Sequence, residues 1–208
     1  MPDEPPFNPL DKRNLGVSVA QALLAQPVLP LAILAPFTGA GIYVIYYVGN
    51  YTPYQALAEA NRRTVTPFSR PIYVGKAVPE GARKGGFGLD LPAGSVLFSR
   101  LNEHATSVRQ AQNLDLADFS CRYLVVDDIW IPLGEALLIQ RFSPLWNQIV
   151  EGFGNHDPGS GRAAQKRSPW DTIHPGRPWA ARLPAYPRSE VEIMARVQQF
   201  LVPSAAAP

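Results

Sequence analysis

The stretch Gly41-Ile42-Tyr43-Val44-Ile45-Tyr46-Tyr47-Val48-Gly49 constrains this chain most. It is a run of β-branched and aromatic residues bounded by glycine, a composition that suits a pleated surface in or near a core. A second run, Pro71-Ile72-Tyr73-Val74-Gly75-Lys76, has the same character. Two such runs in succession predict an antiparallel hairpin. The side-chain period of two places Tyr43, Ile45 and Tyr47 on one face of the first strand and Ile42, Val44 and Tyr46 on the other. The connection, residues 50–69, is long for a hairpin. Within it Thr52-Pro53 predicts a helix start, threonine as the N-cap and proline at the first helical position, with the end near Arg62 or Arg63.

The rest of the chain adds helices and one more strand. Asn14 or Ser18 would cap a helix to about Gln26, with Val17, Ala20 and Leu24 at helical spacing. A helix is expected from about Phe98 to Gln112, a third strand from Asp118 to Val126, a helix opened by Pro132, and a last helix from about Ser189 to Leu201. The expected fold is mixed α+β: a small central three-stranded antiparallel sheet flanked by helices. At 208 residues the length fits a single domain over 1–208, with a core at about 38–150, an N-terminal arm and helix over 1–37, and a C-terminal extension and helix over 151–208. The 22 prolines gather at Pro2, Pro5, Pro6 and Pro9 and again after Asp157, so both extensions should run as irregular segments around the centre.

The single cysteine, Cys121, rules out an intramolecular disulfide and a cysteine-based zinc site, and its apolar surroundings suit a small buried residue. A reducing, cytoplasmic compartment is expected. Residues 28–51 carry no charge, yet Pro30, Pro36, Gly39 and Gly41 interrupt them and their second half is strand-like, so no membrane span is expected. The net charge is only +2, but between Gly152 and Arg188 the cations Arg162, Lys166, Arg167, Arg177, Arg182 and Arg188 face only Asp157 and Asp171. That asymmetry suits an arm turned toward a polyanion as well as an ordinary solvated surface.

Several residues stand out for chemistry. Lys76 follows the second strand, and Arg83-Lys84-Gly85-Gly86-Phe87-Gly88 forms a basic, glycine-rich loop suited to backbone phosphates. The lysine is not followed by serine or threonine opening a helix, so this is not a nucleotide triphosphate loop. Arg100 and His104 sit four residues apart on one helix face. Taken singly, Arg100 could be an ion-pair partner of Glu103 and His104 a helix-surface residue. Arg62, Arg63 and Arg70 suit surface and phosphate roles equally. Asp127 and Asp128 point to opposite faces if they lie on a strand, which suits turn or cap roles better than a shared metal. Glu135 is the only acid among the apolar residues of its helix, and a buried carboxylate needs a cation or a hydrogen-bonding partner. Gly154-Asn155-His156 matches a motif of dimetal phosphoesterases, but the upstream aspartate motifs of that fold are missing.

The ordered set Gly41-Ile42-Tyr43, Tyr73-Val74-Gly75, Arg100, His104, Glu135 and Asn147 resembles the GIY-YIG nuclease superfamily. The phrases Asn113-Leu114-Asp115-Leu116, residues 123–135 and residues 152–157 are similar to its type II restriction endonucleases that cut the palindrome CCGCGG. The long connection after Tyr43 departs from the superfamily's common spacing. The resemblance implies a homodimer that cleaves double-stranded DNA by attack of water on a phosphodiester, with one magnesium ion held through Glu135. It further implies that Tyr43, as a phenolate helped by His104, or His104 itself, is the base, that Arg100 and Tyr73 bind the scissile phosphate, and that Asn147 orients Glu135 or the backbone. Asn147 could also be a plain helix-end cap. DNA contacts would come from Lys76, Arg83, Lys84, Asn155, His156, Arg162, Gln165, Lys166 and Arg177, and a cognate DNA methyltransferase would be expected in the same cell. A non-catalytic DNA-binding or repair module on the same scaffold is the alternative. A homing or repair nuclease is less suited, since one cysteine leaves no zinc-finger DNA reader.

Overall fold

Every residue of the strand from Gly41 to Tyr47 is buried, so the alternation read from the sequence has no solvent side. A computed structural model describes residue 8 and residues 10–79, 94–159 and 165–202. Among them the elements run α1 (Lys12–Leu24), β1 (Leu29–Pro30), β2 (Gly41–Tyr47), α2 (Gln55–Arg62), β3 (Tyr73–Ala77), α3 (Val96–Gln110), β4 (Phe119–Val125), α4 (Ile131–Phe142), α5 (Leu145–Gln148), α6 (Pro169–Ile173), α7 (Pro178–Ala181) and α8 (Glu190–Leu201). The sheet is antiparallel, in the order β1-β4-β2-β3. It has four strands where three were expected. The extra strand is two residues long and includes Pro30, which can sit only at an edge because it has no N–H to donate.

The two faces of β2 serve two clusters. Tyr43, Ile45 and Tyr47 pack with Leu57, Leu101, Phe119, Trp146 and Trp170, while Ile42, Val44 and Tyr46 pack with Ala20, Leu23, Ile131 and Leu138. Helices α1 and α4 therefore cover one face, and α2, α3, α5, α6 and α8 the other. Each large aromatic removed from water here is worth about 4–6 kcal/mol before entropy is counted, several times the value of a helix cap. Packing, and not local capping, decides where the elements start. Accordingly α1 begins at Lys12 with Asp11 as its N-cap, earlier than Asn14 or Ser18, and Thr52 lies inside a 3-10 turn leading to α2 without capping it. No helix among the described residues is long and apolar enough to cross a membrane.

The long β2–β3 connection is tied down by its own polar residues. Asn61 donates to the carbonyls of Tyr47 and Arg70 and accepts from the Arg70 N–H, and Arg62 donates to the carbonyls of Val48 and Gly49. Arg62 thus has a structural role.

Much of the C-terminal extension is core. Trp170 and Ile173 are fully buried in the larger cluster, and the prolines at 169 and 178 open short helices at positions that need no N–H. Behind them lies a buried polar chain. Trp146 Nε1 donates to the Tyr54 hydroxyl (3.0 Å), which donates to His174 Nε2 (2.6 Å), and His174 Nδ1 donates to Asn113 Oδ1 (2.9 Å). Burial, reinforced by the nearby charge of Arg177, pushes the His174 imidazole down to about 3 from an ordinary 6.5. The folded protein holds this ring neutral, whereas the unfolded chain protonates it near 6.5. Its contribution to stability is therefore complete above pH 6.5 and is lost as pH falls toward about 3, at roughly 1.4 kcal/mol per pH unit. His104, also held well below its usual range, adds to the same loss. Urea midpoints should fall steadily below pH 6.5, and less steeply in a His174→Gln variant; equal slopes in the two proteins would rule this source out.

Candidate active site

The glycines of the two strand motifs explain why the tyrosines meet. Tyr43 on β2 stands opposite Gly75 on β3. A Cβ at Gly75 would overlap the Tyr43 hydroxyl and crowd the Tyr73 ring, so the bare backbone there is what lets the Tyr43 ring lie across β3. Tyr73, opposite Ile45, projects from the same face, and its ring centroid is 6.2 Å from that of Tyr43. Lys76 points to the other face, where α4 presents Glu135, and its Nζ lies 2.6 Å from Glu135 Oε2. Side chains from both faces thus converge beside the end of β3, around an open cleft of about 740 Å³. Tyr43, Tyr73, Lys76, Arg100, Glu135 and His156 are among its lining residues.

Arg100 reaches the cleft from α3. Its Nη1 donates to Glu103 Oε2 (2.8 Å) and contacts His156 Nε2, and its Nη2 donates to the Gly154 carbonyl (2.7 Å). The ion pair with Glu103 and the cleft position, two alternatives in the sequence, are both present. One turn on, His104 is buried and does not line the cleft. It stands behind Tyr43, with Nε2 2.5 Å from the phenolic oxygen, and the Phe153 ring stacks on it at 4.4 Å.

Electrostatics fix the protonation of this pair. Burial raises the Tyr43 phenol well above its ordinary 10, with Tyr73 adding to the rise and Arg100 opposing it. Burial, then the Arg100 charge, holds His104 well below 6.5. Both groups are neutral at pH 7, so the phenol donates to Nε2. Tyr43 rests as a phenol, not as the phenolate expected from the sequence.

Asn147 lies at the free edge of β3. Its Oδ1 accepts from the Val74 N–H (2.8 Å) and its Nδ2 donates to the Val74 carbonyl (2.9 Å), while the Trp146 N–H donates to the Ile72 carbonyl. The amide pairs with β3 as a neighbouring strand would. It braces the backbone that carries Tyr73 and Lys76, and makes no hydrogen bond to Glu135.

Of the expected DNA contacts, Lys76 and His156 line the cleft; Asn155 and Lys166 are exposed and Gln165 half-buried, and none of the three is among its lining residues. Arg83, Lys84 and Arg162 lie outside the described residues. Arg177 does not face DNA. It is 1% exposed, with Nε 2.6 Å from Asp171 Oδ1, and its guanidinium lies 4.5 Å and 4.6 Å from the ring centres of Trp170 and Trp179. Two contributors were missed. Glu103 was read only as an ion-pair partner and in fact lines the cleft; its i,i+3 spacing from Arg100 was the available signal. The Gly154 carbonyl leaves no side-chain signal at all.

The donor set fits a hydrated divalent ion. Among the described residues Glu135 and Glu103 are the carboxylates of the cleft, and Glu103 is held by Arg100. Glu135 already has a cation, the Lys76 ammonium, at its oxygen. No cluster of three or more His, Cys, Asp or Glu that could hold a metal occurs among the described residues. One carboxylate facing an open cleft suits magnesium, which keeps most of its waters.

No curated protein matches the chain at a significant level. The family model of the Eco29kI GIY-YIG domain matches residues 35–201, a span that takes in all four strands but β1 and every residue of the cleft, and the chain belongs to that family.

Proposed function

We propose that this protein is a type II restriction endonuclease, a homodimer that hydrolyses both strands of DNA within a palindromic GC-rich site, CCGCGG, with one magnesium ion per active site. The observation that carries this reading is the convergence of Tyr43, Tyr73, Arg100 and Glu135, from β2, β3, α3 and α4, on one open cleft. A palindromic site suits a protein with two-fold symmetry.

Glu135 would hold the magnesium ion, which when bound supplies charge neutralisation and Lewis-acid assistance at the phosphate. Arg100 donates to the non-bridging oxygens as negative charge builds on them, and the Tyr73 hydroxyl helps to position the same phosphate. Tyr43 is among the residues that line the cleft and His104 is not, which supports the phenolic oxygen as the group that would meet the attacking water. As the water oxygen bonds to phosphorus, its proton passes to the Tyr43 oxygen and the phenolic proton passes to His104 Nε2. The bond from phosphorus to the leaving oxygen breaks, and that oxygen takes a proton from solvent. The Arg100 charge helps to hold His104 neutral in the free protein, so a phosphate neutralising Arg100 makes His104 a better acceptor when substrate is present.

The test is incubation with a plasmid carrying one CCGCGG sequence, with magnesium or with a chelator. A single linear product that requires magnesium is the expected result. Smeared digestion would overturn the site specificity, and binding without cleavage would leave a non-catalytic DNA-binding module.

A further inference from the structure

Arg177 is an arginine with almost no exposure that spends its guanidinium on another segment's backbone. Nε donates to Asp171, Nη1 donates to the carbonyls of Phe153 and Asn155 (both 3.1 Å), and Nη2 donates to the carbonyl of Gly152 (2.9 Å). Its guanidinium carbon also lies over the rings of Trp170 and Trp179, 4.5 Å and 4.6 Å from their centres. Asp171 is in turn fixed by the Ser168 hydroxyl at 2.6 Å. The residues clamped in this way, 152–155, form a tight turn. Gly152 takes a φ of +104°, and a Cβ there would overlap Ser168.

The far side of the same turn touches the cleft. The Gly154 carbonyl accepts from Arg100 Nη2, His156 contacts Arg100 Nη1, and Phe153 stacks on His104 and meets the Tyr73 ring edge-on at 5.1 Å. A Cβ at Gly154 would come within 2.8 Å of the Tyr73 hydroxyl and 2.9 Å of Arg100 Nη2, so the turn is seated against both groups. Arg177 therefore holds the carbonyls of residues 152, 153 and 155 on one side, and Arg100, His104 and Tyr73 meet the Gly154 carbonyl and the Phe153 ring on the other. We propose that Arg177 is a positioning residue that sets the orientation of the Arg100 guanidinium and of the His104 ring through the 152–155 turn. Its catalytic consequence rests on the nuclease reading above. Lysine cannot replace it, because an ammonium has no plane to lay over the indoles and no fork to span three carbonyls.

The experiment compares wild type with Arg177→Lys by hydrogen exchange of residues 152–156, by the ¹⁵N side-chain signal of Arg100, and by single-turnover cleavage beside DNA affinity. Exchange over 152–156 should rise roughly tenfold while β2 stays protected, and the Arg100 signal should shift or broaden. Cleavage should fall about 10- to 100-fold with affinity held within about twofold, the signature of a misplaced group and not of lost binding. An unchanged turn, or a loosened turn with the Arg100 signal and cleavage unchanged, would overturn the proposal. Should Arg177→Lys fail to fold, Trp179→Leu, which removes one of the two rings against the guanidinium, is read by the same criteria. If wild type cuts no DNA, the nuclease reading falls, and the exchange and the Arg100 signal still decide the clamp.

Discussion

Replacing Glu135 with alanine should lower the single-turnover cleavage of DNA by roughly 10³-fold or more, since the proposed magnesium ion would be lost and with it several kcal/mol of charge stabilisation at the phosphate. Glu103 is engaged with Arg100, and among the described residues Glu135 pairs only with the Lys76 ammonium, so Glu135 is the carboxylate that can exchange its partner for a hydrated ion. With the carboxylate gone, Lys76 remains as an unopposed cation, and DNA affinity measured in chelator should be equal to or tighter than that of wild type. The fold should tolerate the change. Glu135 lies on the cleft side of α4, and alanine is the best helix former. The paired result, lost cleavage with retained binding, separates a metal role from a fold defect. Cleavage by Glu135→Ala at near wild-type rate in magnesium would sink the assignment, and weakened binding in chelator would show that Glu135 chiefly holds Lys76 in place.

The features legible in the sequence are those governed by a local period or a required atom. The two faces of β2 followed from alternation, because the side-chain period of a strand is two whichever cluster each face meets. The glycines at 41 and 75 were visible as motif letters, and the structure gives their reason: a Cβ at Gly41 would overlap the Leu124 carbonyl, and one at Gly75 the Tyr43 hydroxyl. Glu135 stood out as a lone acid on an apolar helix. What was hidden depends on contacts made far along the chain. Strand β1 is too short and too proline-bearing to register as a strand and exists because β4 offers it an edge. Arg177 counts as one more cation in a basic extension until Trp170, Trp179 and Asp171 enclose it. Its role reverses from surface charge to core clamp without any change in local composition. The resting state of Tyr43 was hidden for the same reason, since its desolvation comes from burial beside Tyr73 and His104.

Arg100→Ala should lower cleavage by about 10²- to 10³-fold, the usual consequence of removing one preorganised donor from a developing oxyanion. The guanidinium sits at the cleft wall with Glu103, His156 and the Gly154 carbonyl fixing its plane, so it is oriented before substrate arrives. Binding should suffer far less, because one phosphate contact among many is lost. The slope of log affinity against log salt should drop by about 1 per active site and affinity by only a few fold. Arg100→Lys restores the charge without the planar fork and should recover only part of the rate. It should also release the turn at Gly154, since a lysine cannot hold the carbonyl and Glu103 together in the same geometry. The decisive comparison is between rate and affinity across the three proteins. If affinity falls in step with rate, Arg100 acts as a ground-state phosphate contact, and transition-state stabilisation must come from elsewhere in the cleft, with Lys76 the remaining Lys or Arg that lines it among the described residues.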